Sequence, residues 1–355
     1  MKMGFFVEVD NIIPGMILNE DIHDKGYLLL PKGAIIKPGY IEKLISRGID
    51  KVNICAERSH YKDIITNPVE RFYAESYEDI ANIIDNMKTS IGITSMQVFS
   101  VVEKILNKVF AHKNSMLLMT GFRGKCDYYY AHSLDVCIYS LITAKAMNLD
   151  YDSTVTLGIG ALLHDIGKTR IPDSILLKKD FLTADEFEKI KKHSLYGYKI
   201  IMNTPGLNHD VAKIALQHHE RCDGSGYPGN TPGEEIHFLS KIVAIADIYD
   251  ALTSDKIYRK KILPHEAAEY LLCISNSLID SRIARVFLKN VAIYPRGCQV
   301  LLSTNEIAVV LDSNEQMPLR PLLKILTDRD KNPLKHNYEL EMQSHPNVFI
   351  TNIFN

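Results

Sequence analysis

Two adjacent histidines, His218 and His219, stand a few residues ahead of a glycine-rich turn in the segment His218–Pro228, HHERCDGSGYP. Upstream, Ala161–Lys168 (ALLHDIGK) sets His164 beside Asp165 at the end of an apolar run. Downstream, Ala244–Ser254 (AIADIYDALTS) sets Asp247 on an apolar helical stretch. Imidazole and carboxylate groups on separate elements suit sites where divalent ions activate water. Such sites draw ligands from several rigid elements and need a carboxylate able to bridge two ions. A lone His-Asp dipeptide arises by chance constantly; these segments in this order do not. The loop Asp223–Pro228 has its own physical logic. Gly224 and Gly226 permit backbone angles and close ligand approach that a side chain would block, and Pro228 stiffens the exit. Tyr227 can present a ring and a hydroxyl to a base or a neighbouring loop. Residue types leave open whether that loop touches a substrate, shapes a pocket or faces a partner protein. Cys222 has no base pattern of its own and reads as a loop residue rather than a nucleophile.

These residues need elements to position them. Residues 1–56 read as a small β-rich module with short strands at Met16–Ile22, Tyr27–Leu30 and Lys51–Cys55, and a helix from Pro38 to near Gly48. Residues 57–115 read as a helical linker or packing region, with one apolar stripe at Ile80, Ile83, Ile84 and Met87. A second stripe joins Val98, Val101, Val102, Ile105, Leu106 and Val109. Helical patterns then continue through 127–147, 151–165, 183–202, 209–220, 237–254, 264–274 and 279–292, within a domain spanning 116–294. Residues 295–355 form a β extension, with strands at Gln299–Leu302, Glu306–Leu311 and Leu322–Leu326 and room for two more. The expected fold is mainly α: an all-helical metal-binding domain flanked by a β-rich N-terminal module and a C-terminal β tail.

The chain of 355 residues carries 41 basic and 43 acidic side chains and a net charge of −2. That balance argues against a nucleic-acid polymer as partner, so any anionic ligand must be gripped locally. The apolar run at the start is too short for a signal peptide, and no stretch approaches the roughly 18 apolar residues of a membrane span. Six cysteines without a CxxC pair disfavour a thiolate zinc site and a disulfide framework. A reduced, cytoplasmic protein without membrane contact is expected.

HDIGK, HHE, DGSGYP and the helical D-x-x-D at Asp247–Asp250, in this order, resemble the HD-GYP family, a branch of the HD-domain metal phosphohydrolases associated with cyclic di-GMP. The N-terminal module and the phrase beginning YPRGCQVLLS are similar to segments that flank the domain in that family. The resemblance implies an all-α domain and seven metal ligands: His132, His164, Asp165, His193, His218, His219 and Asp247. By it, one ion takes His132, His164, Asp165 and Asp247, and the other takes Asp165, His193, His218 and His219, with Asp165 as the bridge. Taken singly, His132 and His193 read as ordinary half-buried histidines and Asp247 as a helix-face carboxylate; the ordered set carries the inference. Nitrogen and oxygen donors without thiolate suit two divalent ions per chain, iron or manganese ahead of magnesium or nickel. Some relatives hold a third ion through a glutamate four residues before the first histidine. Here that position is Tyr128, a poor ligand with a pKa of about 10. Asp127, five residues before His132, points about 140° away on a helix. Two ions are therefore expected.

The implied function is hydrolysis of cyclic di-GMP to linear pGpG or GMP in second-messenger signalling, with Asp165 and Lys168 catalytic. Gly167 lets the chain turn so that the Lys168 ammonium comes back toward the ions and the substrate's phosphate. The resemblance adds Gly226, Tyr227, Pro228, Asp250, Lys256 and Arg259 as substrate contacts, with Tyr258 between the two basic residues. Lys256 stands where arginine is commoner in the family, which substitutes a point charge for a planar fork. Residue types do not identify the group that protonates the leaving oxygen; Asp250 and a metal-bound water are the two candidates. Rival readings are a phosphodiesterase for another cyclic dinucleotide and a slow or non-catalytic sensor signalling through the N-terminal module. A signalling-protein partner at the GYP loop or that module fits either.

Overall fold

The computed structural model describes residues 2–9, 12, 16–24, 27–57, 68–89, 92–112, 128–178, 180–254, 262–291, 294, 296–312, 314, 317 and 319–354. The chain divides into two compact units, one of residues 1–79 with 122–131, the other of residues 80–121 with 132–355.

The first unit contains β1 (Lys2–Glu8), β2 (Ile17–Leu18), β3 (Ile22–Asp24), β4 (Tyr27–Leu30), α1 (Pro38–Ser46) and β5 (Lys51–Glu57). An antiparallel sheet runs β1-β5-β2, and β3 pairs with β4. Leu18, Ile36, Leu44 and Ile54 are its most deeply buried side chains. Pro38 opens α1, where its fixed φ and missing N–H cost nothing. The strand β1 is absent from the sequence expectation. Its partner β5 lies far along the chain, and a pairing of that kind leaves no local periodic signal.

α2 (Pro68–Lys88) buries the expected stripe Ile80, Ile83, Ile84 and Met87. α3 (Ser95–Ala111) starts with a capping box between Thr94 and Gln97 and buries its own stripe from Val98 to Val109. Then follow α4 (Tyr128–Ala146), α5 (Tyr151–Leu163), a 3-10 turn (Ile166–Arg170) and α6 (Asp173–Leu176). The succession continues with α7 (Ala184–Lys191), α8 (His193–Met202), α9 (His209–Gln217), α10 (Phe238–Thr253), α11 (Pro264–Ile274) and α12 (Ser281–Asn290). α5 is apolar almost all round and packs on α3, α9 and α10. Full burial of Leu157, Leu162 and Leu163 contributes about 1.5–3 kcal/mol each, which anchors the helix that ends at His164.

The pattern over 183–202 predicts one helix, whereas the structure has two, broken at Lys192. There the amide of Lys192 bonds the carbonyl of Lys189, three residues back, and the ladder tightens. The apolar spacing continues through the break, so the sequence does not register it. The C-terminal strands β6 (Gln299–Leu302), β7 (Ile307–Asp312), β8 (Leu322–Thr327), β9 (Pro333–Glu341) and β10 (Ile350–Phe354) form one antiparallel sheet, ordered β10-β6-β7-β8-β9. Val300, Leu302, Ala308, Val310, Leu323 and Ile325 alternate inward along it. The architecture is the mainly α fold with β-rich flanks that the sequence predicts. Among the described residues, no helix is long and apolar enough to cross a membrane.

Candidate metal centre

All seven expected ligands lie in the second unit and converge. His132 comes from the first turns of α4, and His164 and Asp165 from the end of α5. His193 opens α8, His218 and His219 follow α9, and Asp247 lies on α10. Ligand atoms of Asp165, His193, His218 and His219 all lie within 4.8 Å of one another, as do those of His132, His164 and Asp165. Asp247 adjoins both groups, with Oδ1 at 3.1 Å from His132 Nε2 and Oδ2 at 3.8 Å from His219 Nδ1.

One local device recurs three times. His164 Nδ1 donates to the Ala161 carbonyl at 2.7 Å, His193 Nδ1 to Ile190 at 2.8 Å and His218 Nδ1 to Ala215 at 3.0 Å. Each carbonyl is three residues back, in the last turn of a helix, where carbonyls lack intrahelical partners. With the proton held on Nδ1, each Nε2 presents a lone pair inward. His132 is oriented by a carboxylate instead of a carbonyl, its Nδ1 lying 2.5 Å from Asp250 Oδ2. The inward atoms crowd together: His132 and His164 Nε2 are 3.3 Å apart, and His193 and His218 Nε2 3.2 Å apart.

Asp165 lies between the two histidine groups. Its Oδ1 faces His193 Nε2 at 3.2 Å and His218 Nε2 at 3.8 Å, while Oδ2 faces His164 at 3.5 Å and His132 at 3.7 Å. Oδ1 is buried without a hydrogen-bond partner, because the neighbouring imidazoles turn lone pairs rather than protons toward it. Buried acceptors facing one another are costly unless a cation joins them, so the residues fit a divalent metal.

Protonation states agree with ligation. Burial would raise the Asp165 pKa, but the Lys168 ammonium foremost, then the surrounding histidines, hold it well below the carboxylate range. Asp247 behaves alike, burial being outweighed by His132 and then by His219 and His164. Burial lowers His164 to about 3 and depresses His193 and His219, keeping these imidazoles neutral. His132 differs: burial opposes its charge, but Asp247 and Asp250 together carry it up to about 9. A metal at its Nε2 must displace that proton.

The groups around the cluster are placed as follows. Lys168 directs Nζ to Asp165 Oδ2 from the 3-10 turn. Gly167 permits this turn to lie on α8, since a Cβ there would come within 1.9 Å of the His193 carbonyl oxygen. Tyr227, half-buried, sets its ring 4.7 Å from that of His219 and 6.4 Å from that of His193. Pro228 is exposed, and Gly226 is buried beneath the loop. Its absent Cβ would meet the backbone of Glu220 and Arg221 at 2.4 Å, so glycine here lets the loop lie directly on that segment. Asp250 also requires correction. It is fully buried and bonded to His132 and Ser254, an orienting group behind a ligand, not a substrate contact or a proton source at the leaving oxygen. The signal was available: Asp247 and Asp250, three residues apart on a helix, share a face. Asp127, the side chain of Tyr128, and Lys256, Tyr258 and Arg259 lie outside the described residues.

Two residues escaped the sequence reading. Glu220, buried behind the GYP loop, accepts from Gly229 and Thr231, and Lys191 Nζ lies 5.7 Å over the Tyr227 ring. Glu220 stands inside the word HHE, but sequence assigns its carboxylate no direction, and a lysine two residues before a histidine carries no motif that separates it from solvated charge.

A helical domain that closes histidines and aspartates on a buried centre defines an HD-domain protein. The HD domain family matches residues 111–283, and the KOW domain associated with HD domain matches residues 299–355. The chain belongs to the HD-GYP branch of that family. It is 32% identical over 258 residues to the cyclic di-GMP phosphodiesterase PA4108 of Pseudomonas aeruginosa, covering 72% of this chain and 62% of that protein. It is also 32% identical over 259 residues to a cyclic di-GMP phosphodiesterase of Thermotoga maritima, covering 70% and 67%. The chain thus spans about three fifths to two thirds of the length of these relatives. Its fold resembles that of Bd1817, a HDG"Y"P protein from Bdellovibrio bacteriovorus, with TM-score 0.51 at 17% identity over 80% of this chain and 98% of that one.

Proposed function

We propose that this chain hydrolyses a phosphodiester bond of cyclic di-GMP at a centre of two divalent ions, giving linear pGpG or GMP. The observation that carries the reading is Asp165, whose two oxygens face two different histidine groups. One ion would be held by His132, His164, Asp165 and Asp247, the other by Asp165, His193, His218 and His219. The donor set, imidazole and carboxylate without thiolate, suits iron or manganese, then magnesium or nickel. Bound ions supply Lewis acidity there, lowering the pKa of water and drawing charge from phosphoryl oxygens.

The chain's own residues do the rest. Lys168 brings an ammonium to the place where anionic charge develops on phosphorus. The carbonyls of Ala161, Ile190 and Ala215, and the carboxylate of Asp250, fix which imidazole nitrogen faces inward. Tyr227 gives the mouth of the centre a wall that a base can meet, with Pro228 on its outer side. Lys256 and Arg259 follow α10 in the chain and add cations for phosphate. The cyclic di-GMP phosphodiesterases among the relatives support the choice of substrate. Action in the cytoplasm, with a signalling partner at the GYP loop or the N-terminal module, fits that role.

The test is protein purified without chelator, analysed for metal and incubated with cyclic di-GMP. Two ions per chain and chromatographic conversion to pGpG or GMP, lost on chelation and restored by iron or manganese, are expected. Turnover of a different cyclic dinucleotide alone would move the substrate. Tight binding without product at full metal occupancy would make the protein a sensor.

A further inference from the structure

We propose that Glu220 is a positioning residue: its carboxylate holds the 223–231 loop so that Tyr227 stands against His219, and thereby sets the grip on a dinucleotide. The grip rests on the phosphodiesterase reading above; the tether does not. Glu220 follows the two candidate ligands His218 and His219 directly and is 3% exposed, yet it turns away from the centre. Oε1 accepts from the Gly229 amide at 2.6 Å and from Thr231 Oγ1 at 3.3 Å, and Oε2 accepts from the Thr231 amide at 3.0 Å. A carboxylate is acceptor-only, and here both of its oxygens are occupied by donors of the loop.

The loop closes over this anchor. Ser225 donates its amide and hydroxyl to Asp223 Oδ1 at 2.9 and 2.6 Å, and Asn230 Nδ2 donates to the Gly226 carbonyl at 2.8 Å. The Tyr227 amide reaches the His219 carbonyl at 3.3 Å. Gly226 lies on the Glu220 backbone without room for a Cβ. The loop therefore leaves the ligand segment at His219 and returns to it through the Glu220 carboxylate. Tyr227 sits within this closed path, its ring tilted 32° to that of His219. Glutamine at 220 would set an NH2 group against one of the loop's donors, so a donor would meet a donor and the loop would shift.

The experiment compares the full chain, loaded with manganese, as wild type, E220Q, E220D, Y227A and E220Q/Y227A. Hydrogen exchange at the Gly229 and Thr231 amides reads the tether without any substrate. Kinetics on cyclic di-GMP and on bis(p-nitrophenyl) phosphate, a small diester, read the grip. E220Q should speed exchange at both amides and lower kcat/KM on cyclic di-GMP about tenfold more than on the small diester, mainly through KM. E220D, which keeps the charge, should recover part of both. In the Y227A background E220Q should add less than about twofold, because the two residues act through one contact. Unchanged exchange in E220Q would overturn the tether. An equal loss on both substrates, or a full multiplicative loss in the double variant, would overturn the role through Tyr227. Faster exchange in E220Q, alongside a wild type that cleaves only the small diester, would leave the tether standing and remove the dinucleotide reading instead.

Discussion

Asp250→Asn isolates the contribution of a carboxylate behind a ligand. The side chain is fully buried, with Oδ2 at 2.5 Å from His132 Nδ1 and Oδ1 accepting from Ser254 Oγ at 3.3 Å. Asparagine keeps the shape but removes a charge and turns one acceptor into a donor. If its oxygen faces His132, the bond survives as a neutral one and loses the charge-assisted share, on the order of 1–2 kcal/mol. If its NH2 faces His132, Nδ1 must accept, the proton moves to Nε2, and the inward lone pair disappears. Outer partners of metal-binding histidines are worth about 10–100-fold in affinity or activity, and both orientations lead into that range. Manganese titration of chelator-stripped protein by calorimetry should show this loss, with the circular dichroism of the helices retained.

The same substitution has a signature in metal-free protein. The His132 pKa rises from 6.5 to about 9 although burial opposes it, because Asp247 and Asp250 outweigh burial. That difference corresponds to about 3 kcal/mol in favour of the imidazolium. The folded pKa exceeds the unfolded one, so this stabilisation is complete below pH 6.5 and is lost as pH rises from 6.5 through 9. His164, His193 and His219, held neutral chiefly by burial, act mainly below that window. Stripped wild type should therefore lose denaturant resistance between about pH 6.5 and 9, and Asp250→Asn should flatten that slope. Unchanged manganese affinity together with an unchanged slope would refute the role assigned to Asp250.

Three further outcomes are expected. Asp165→Asn should lose at least one ion by elemental analysis and at least about 100-fold in turnover, since an amide offers a single oxygen in place of a bridge; full occupancy and turnover would exclude the bridge. His193→Ala should lose one ion but keep its fold, because Ser194, Gly197 and Ile201 still bury the inner face of α8; lost helicity at unchanged metal content would make His193 structural. Lys256→Arg should raise kcat/KM on cyclic di-GMP about five-fold by adding a second charged hydrogen bond to phosphate; identical kinetics would leave that grip to Lys168 and Arg259.

Much of the molecule was legible because its signals are local. The stripes of α2 and α3, the apolar run that becomes α5 and the alternation in the C-terminal strands each follow from side-chain period alone. The candidate ligands stand out as an ordered set of words rather than one by one, since nothing about His132 or His193 in isolation separates a ligand from a core histidine. What escaped depends on direction and on distant pairing. Asp250 and Glu220 are carboxylates next to ligands, and sequence places both near the centre without showing which way they turn. Asp250 turns to the back of His132 and Glu220 into the GYP loop. β1 escaped for the second reason, its partner β5 being remote in the chain.

The repeated imidazole-to-carbonyl bond connects these levels. A histidine just past a helix end can satisfy one of the carbonyls that the helix leaves unpaired, three residues back. In doing so it spends the proton that would otherwise compete for the ligand atom. His164 and His218 occupy such positions after α5 and α9, and His193 occupies one after α7 only because the chain breaks at Lys192. In one continuous helix the Ile190 carbonyl would be engaged by a backbone amide four residues on, and the imidazole could not turn back to it on the same terms. The break that the apolar pattern conceals is thus what gives His193 the tautomer of its neighbours. The short connections at the ends of these helices, more than the helices themselves, turn the Nε2 atoms of His164, His193 and His218 inward around Asp165.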